Sequence, residues 1–248
     1  MSQDDRRLSE IATLWSVVRQ AHDPDSGAAQ EAQRRLLGEY GGAARRYLLG
    51  ALRSEELADE AFQEFSLRFV RGDFRNVSPE KGRFRSFLKT CLCHLIVDQQ
   101  RLKKKQARNT PLDSDHPPAD VTELESAEDA AFTKSWRDDL LSRAWDRLQQ
   151  DEKATGKPYH TVLKTKAEHP EAGSTELAAL TTARIGREVS PANVRVLVHR
   201  SRELFAECLL RAVSDSLSDN RRELVEEELI ELQLIEYCRS ALDNWPPS

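Results

Sequence analysis

No run of about 20 apolar residues occurs in the 248-residue chain, so nothing in it predicts a helix that crosses a membrane. Met1-Ser-Gln-Asp-Asp-Arg-Arg7 has no apolar signal core behind it, and the expectation is a cytoplasmic protein with no membrane partner. Cysteine is sparse: Cys91, Cys93, Cys208 and Cys238 lack the spacing of a disulfide framework, which fits a reducing compartment. A phosphate-cradling glycine loop, a nucleophile elbow and a metal-ligand helix motif are all missing. The expectation is therefore no enzyme, with no catalytic residues, no cofactor and no metal. Cys91-Leu-Cys93-His94 does not change this, because residues two apart on a helix point to nearly opposite sides and cannot easily grip one ion. Glycine and proline number only 10 each and aromatics make up 6%, while Ala, Leu, Glu, Arg and Gln supply much of the rest. These are strong helix formers, and they predict an all-α protein. At about 150 residues per domain, the length suits two small domains.

Charge is distributed unevenly. A net charge of −5 argues against a nonspecific nucleic-acid coat. Yet Arg71, Arg75, Lys81, Arg83, Arg85, Lys89, Arg101, Lys103, Lys104, Lys105 and Arg108 fall in one segment with few acids. The following stretch, 109–130, carries Asp113, Asp115, Asp120, Glu123, Glu125, Glu128 and Asp129 with no Lys or Arg, and holds the turn formers Pro111 and Pro117-Pro118. It reads as an acidic linker. A second basic cluster comprises Arg184, Arg187, Arg195, Arg200 and Arg202, and an acidic tail begins at Glu223.

Apolar residues recur at three- and four-residue steps, the helical period. Leu8, Ile11, Trp15 and Val18 mark a first helix; Leu36, Tyr40, Ala43, Tyr47 and Ala51 a second; Ala58, Phe62, Phe65 and Phe69 a third, N-capped by Ser54. A fourth runs from about Gly82 to Lys105, with Phe84, Phe87, Leu88, Cys91 and Leu95 on its buried or ligand-facing side. Phe132, Trp136, Leu140, Ala144 and Leu148 predict another helix, ended by Gly156-Lys-Pro158. The tail predicts one helix with Val225, Leu229, Leu232 and Ile235 on its apolar stripe, packed on the C-terminal domain. Its acids suggest competition with DNA for the basic faces.

Ser174-Thr-Glu-Leu-Ala-Ala-Leu reads as a capped short helix, 184–189 as a turn, and Ser190-Pro191 as the start of a long helix. A serine hydroxyl accepts an otherwise orphan amide, and proline at the first helical position has no amide to orphan. Val194, Leu197, Val198, Phe205, Cys208 and Leu209 form its inward stripe; Asn193, Arg195, His199, Arg200 and Arg202 are free to face outward. Helix, turn and a second helix with a basic outer face is how a helix-turn-helix reads, its N-terminal half entering the major groove.

Ala58-Asp-Glu-Ala-Phe-Gln-Glu-Phe65, then Gly82-Arg-Phe-Arg-Ser-Phe-Leu88, then Leu95-Ile-Val-Asp-Gln-Gln-Arg101 resembles region two of the extracytoplasmic-function sigma factors of bacterial RNA polymerase. Residues 174–210 resemble region four of that family, and the linker and tail look like its planctomycete-type members. The resemblance implies a region-two four-helix bundle (1–108), an acidic linker (109–131), a region-four helix-turn-helix domain (132–218) and an acidic tail helix (219–248). It implies that Glu60, Gln63 and Glu64 grip the coiled coil of the β′ subunit of core RNA polymerase. Phe84, Phe87, Lys89, His94 and Arg101 would meet the minus-ten promoter element, where cations hold phosphates and rings take unstacked bases. Ser190, Asn193, Arg195, His199, Arg200 and Arg202 would dock on the minus-thirty-five element. An anti-sigma factor is a further implied partner. The alternative is a stand-alone helix-turn-helix regulator, which has no reason to carry the Glu60, Gln63 and Glu64 face.

Overall fold

The computed structural model describes residues 18, 21, 29–74, 83–108, 121–217 and 220–245. Leu8, Ile11 and Trp15 of the expected first helix, residues 109–120 of the expected linker, and Arg75, Lys81 and Gly82 lie outside them. Among the described residues the regular structure is helical throughout: α1 (Ala29–Leu52), α2 (Glu55–Arg71), α3 (Phe84–Arg108), α4 (Val121–Thr155), α5 (Tyr159–Glu168), α6 (Ser174–Ile185), α7 (Pro191–Asp215), α8 (Arg222–Glu231) and α9 (Ile235–Leu242). The chain divides into two compact units, Met1–Asp139 with Asp215–Asn220, and Leu140–Ser214 with Arg221–Ser248.

Ser54 caps α2 as the sequence predicts, and left-handed residues close α1 and α2. Arg53 takes φ 51° after α1, and Ser54 at once caps α2 by accepting a hydrogen bond from the Leu57 amide at 3.3 Å. At the other end of α2, Gly72 has φ 85°; its amide donates to Phe69 O at 3.2 Å and the Asp73 amide to Arg68 O at 3.1 Å. This paired arrangement closes a helix on a left-handed residue, where glycine escapes the steric penalty of a Cβ.

The core of this unit joins α1, α2, α3 and the N-terminal half of α4. Tyr40 stacks on Trp136 at 5.1 Å and Tyr47 meets Phe132 edge-on at 5.1 Å, while Ser135 Oγ donates to Ala43 O at 2.9 Å. Phe132 and Trp136 therefore belong with the first unit, although the resemblance places 132–218 in a second domain. The division falls between Asp139 and Leu140, inside α4, because the two rings bury against α1. Residues 121–131 of the expected linker are helical as well.

In the second unit, Gly156 at φ 68° ends α4, as the Gly156-Lys-Pro158 break predicts. The Glu152 carboxylate fixes the corner, accepting from the Thr161 amide at 2.8 Å and from Thr161 Oγ1 at 2.5 Å in the first turn of α5. Val162, Leu177, Ala178, Val189 and Val194 form a core shared by α5, α6, α7 and the turn before α7. The cap of α6 is Gly173, with Ser174 already inside the helix and no side-chain capping bond.

The tail is two short helices. Gln233 adopts φ 57°, its amide donates to Ile230 O at 3.0 Å and the Leu234 amide to Leu229 O at 2.8 Å, the same left-handed closure seen after α2. The break turns Leu234 inward and leaves Ile235 half-buried, and Glu228, which lies off the stripe, is nevertheless buried. Cys238 Sγ donates to Ala206 O of α7 at 3.9 Å, so the tail covers the C-terminal half of that helix.

Candidate functional site

Glu60, Gln63, Glu64 and Leu67 follow one another at three- and four-residue steps and so share a face of α2. That face lines a groove of about 590 Å³ whose other wall is the α3 stretch holding Leu95, Asp98, Gln99, Arg101 and Leu102. Gln99 Nε2 donates to Glu60 Oε2 across it at 3.5 Å, and Arg68 Nε donates to Glu64 Oε1 at 2.7 Å. Leu67 and Leu102 are 48% and 52% exposed. The groove thus sets the carboxylates of Glu60, Glu64 and Asp98, the second paired with Arg68, beside Arg101 and the uncovered leucines. Leu67, Asp98, Gln99 and Leu102 were not among the residues singled out from the sequence; extending the Glu60–Glu64 face by one turn reaches Leu67, but only the tertiary structure brings α3 alongside.

The five residues expected at the minus-ten element do not form one surface. Phe84 is a correction: it is 4% exposed, 5.5 Å from the Tyr40 ring and 6.4 Å from Trp136. A ring enclosed on both sides offers no face to a base. Phe87 is half-buried, edge-on to Phe74 at 5.3 Å and 6.1 Å from Phe84. His94 and Arg101 follow it at seven-residue steps, which on a helix is nearly the same side. Both are exposed, and Arg101 also lines the acidic groove. Lys89 sits about 200° around α3 from Phe87 and pairs with Asp129 of α4. The described stripe is thus Phe87, His94 and Arg101, with Lys89 on another flank.

On the second unit, the turn into α7 is held by local hydrogen bonds. The Gly186 amide donates to Thr182 O at 3.0 Å, the Val189 amide to Thr182 Oγ1 at 3.0 Å, and the Asn193 amide to Ser190 Oγ at 3.2 Å. Ser190 is the expected N-cap, its hydroxyl engaged in capping. Asn193, Arg195, His199, Arg200 and Arg202 are all exposed, with His199 Nδ1 3.4 Å from Glu203 Oε2. Arg184 stands apart from them. It donates to Thr165 Oγ1 at 3.1 Å and to Glu168 Oε2 at 2.5 Å, tying α6 to α5.

The arginine hydrogen bond holds the Glu168 carboxyl below its ordinary range, and Arg45, bonded to Asp59 at 2.5 and 3.1 Å, does the same there. Groups whose folded pKa is depressed stabilise the fold above their unfolded value, near 4, and lose that contribution as pH falls through the folded one. Asp59→Asn should therefore lower the thermal midpoint at pH 6, and the gap from wild type should narrow as pH falls below the ordinary carboxylate value of about 4. A gap constant across that range would show that the carboxylate charge contributes nothing.

Burial pushes the Cys91 and Cys208 thiols up to about 11 and the Cys238 thiol up to about 12. Since the thiolate is the reactive species, iodoacetamide at pH 8 should leave Cys208 and Cys238 unmodified in the folded protein and label them after urea unfolding, as read by peptide mass. Labelling at equal rates in both states would contradict their burial. Among the described residues no group of three or more His, Cys, Asp or Glu side chains could hold a metal ion, and no helix is long and apolar enough to cross a membrane.

These features define an all-helical protein with an acidic-apolar groove on one unit and a basic helix face on the other. Comparison with protein families, curated proteins and solved structures finds no match to this chain.

Proposed function

We propose that the chain is an RNA polymerase sigma factor of the extracytoplasmic-function type, acting in the cytoplasm without covalent chemistry of its own. It binds core polymerase through the α2–α3 groove and directs it to promoters through α3 and α7. The observation that carries this reading is the groove itself: Glu60, Gln63 and Glu64 gathered beside exposed Leu67 and Leu102. Three carboxylates against two arginines, one of them already bonded to Glu64, leave the groove weakly acidic, which disfavours DNA phosphates and favours a basic protein surface. A regulator acting on DNA alone has no use for such a groove. The basic face of α7 supports the DNA half of the reading, and the stripe Phe87, His94 and Arg101 supports contact with separated strands, where cations meet phosphates and a ring can stack. An anti-sigma factor would act by covering one of these surfaces.

Co-elution with bacterial core RNA polymerase on a sizing column tests the proposal. Wild type should co-elute, and a Glu60→Ala, Gln63→Ala, Glu64→Ala variant should run free. Failure of the wild type to co-elute, with DNA binding retained, would replace this reading by the stand-alone helix-turn-helix regulator.

A further inference from the structure

On α7 the buried side is set by Val194 and Ser201, with Leu197, Val198 and Phe205 half-buried around them. Each residue advances about 100° around a helix, so the column opposite Val194 is Ala192, Val196, His199 and Glu203. All four are exposed. Asn193 and Arg200 lie on one flank of that column, Arg195 and Arg202 on the other, and these too are exposed. Val196 is 50% exposed, with its apolar branch in the middle of a polar and cationic arc. A single exposed valine is ordinary on a protein surface. This one stands where an inserted helix points deepest, with cations on either side placed for the phosphates that border a groove.

We infer that Val196, backed one turn earlier by Ala192, reads the 5-methyl group of thymine in the major groove of duplex DNA. This rests on the DNA-reading role proposed for α7. The chemistry favours one partner among unmodified bases: thymine alone carries a methyl at the C5 edge of the major groove, where cytosine has only a hydrogen, and the other groups there are hydrogen-bond donors or acceptors. Valine offers it a branched methyl pair with little rotamer freedom to lose on contact, since β-branched side chains on helices already hold one χ1. Val196 is therefore a specificity-determining residue, separate from the arginines that set affinity, and sequences bound by α7 contain thymine at a fixed position.

The test uses the full chain and duplexes enriched by it from a random library at low salt. The best duplex is then synthesised with each thymine in turn replaced by deoxyuridine, which removes only the methyl. Wild type should lose about fourfold in affinity at one position, the worth of one buried methyl group. Val196→Ala should bind the thymine duplex about as weakly as wild type binds the uracil one, and should not distinguish the two. Its thermal midpoint should match wild type, because the side chain is half-exposed and alanine is the better helix former. Enrichment of specific duplexes with no uracil-sensitive position, or equal sensitivity in Val196→Ala, would overturn the inference and leave DNA binding by α7 intact. Enrichment of no duplex would overturn the DNA-reading role and the inference with it.

Discussion

Replacing Trp136 by alanine should destabilise the protein by about 3–5 kcal/mol, seen as a large fall in the urea midpoint at unchanged slope. The indole is 1% exposed and stacks on Tyr40 at 5.1 Å, with Phe132 at 6.2 Å and Phe84 at 6.4 Å. Truncation removes the apolar transfer contribution and leaves a cavity that three rings on three different helices cannot jointly close. The loss is a large fraction of the roughly 5–15 kcal/mol that holds a domain together. Leu67→Ala on the exposed groove face is the comparison: a surface change there should stay within about 0.5 kcal/mol. If Trp136→Ala cost less than about 1 kcal/mol, the pairing of α4 with α1 would not be the centre of the first unit.

The second large effect concerns α7. On the proposed function, Arg195→Ala with Arg200→Ala should weaken binding to an enriched duplex on the order of a hundredfold. It should also reduce the slope of log affinity against log salt by about 2, one counterion-releasing contact for each arginine. Both guanidinium groups belong to exposed residues on the flanks of the helix, so their removal should leave the thermal midpoint nearly unchanged. The contrast with Val196→Ala is informative: the arginine pair should change affinity and salt slope for all sequences, the valine only the response to one thymine methyl. An unchanged salt slope in the double variant would place the DNA-binding face elsewhere.

The two sites differ in how far they could be read from the chain. The face of Glu60, Gln63 and Glu64 follows from spacing on one helix. Its apolar floor does not, because Leu102 is 38 positions from Glu64 and meets it only where α3 lies along α2. Phe84 and Phe87 are three residues apart in one basic segment and look alike in the sequence. Tyr40 and Trp136 enclose the first, while the second is only half-buried. Lys89 sits in the basic run, yet its charge meets Asp129.

The sequence by itself determined the helical class, the caps at Ser54 and Ser190 and the break at Gly156-Lys-Pro158. Each is decided within a few residues by hydrogen bonds to neighbouring amides or by the φ that glycine and proline permit. Only the tertiary structure decided that the first unit extends into α4 as far as Asp139, that the tail breaks at Gln233 to turn Leu234 inward, and which arginines stay exposed. Those outcomes depend on which faces meet across tens of residues. Burying Trp136 against Tyr40, or pairing Arg184 with Glu168, is a free-energy choice between partners that no local pattern contains.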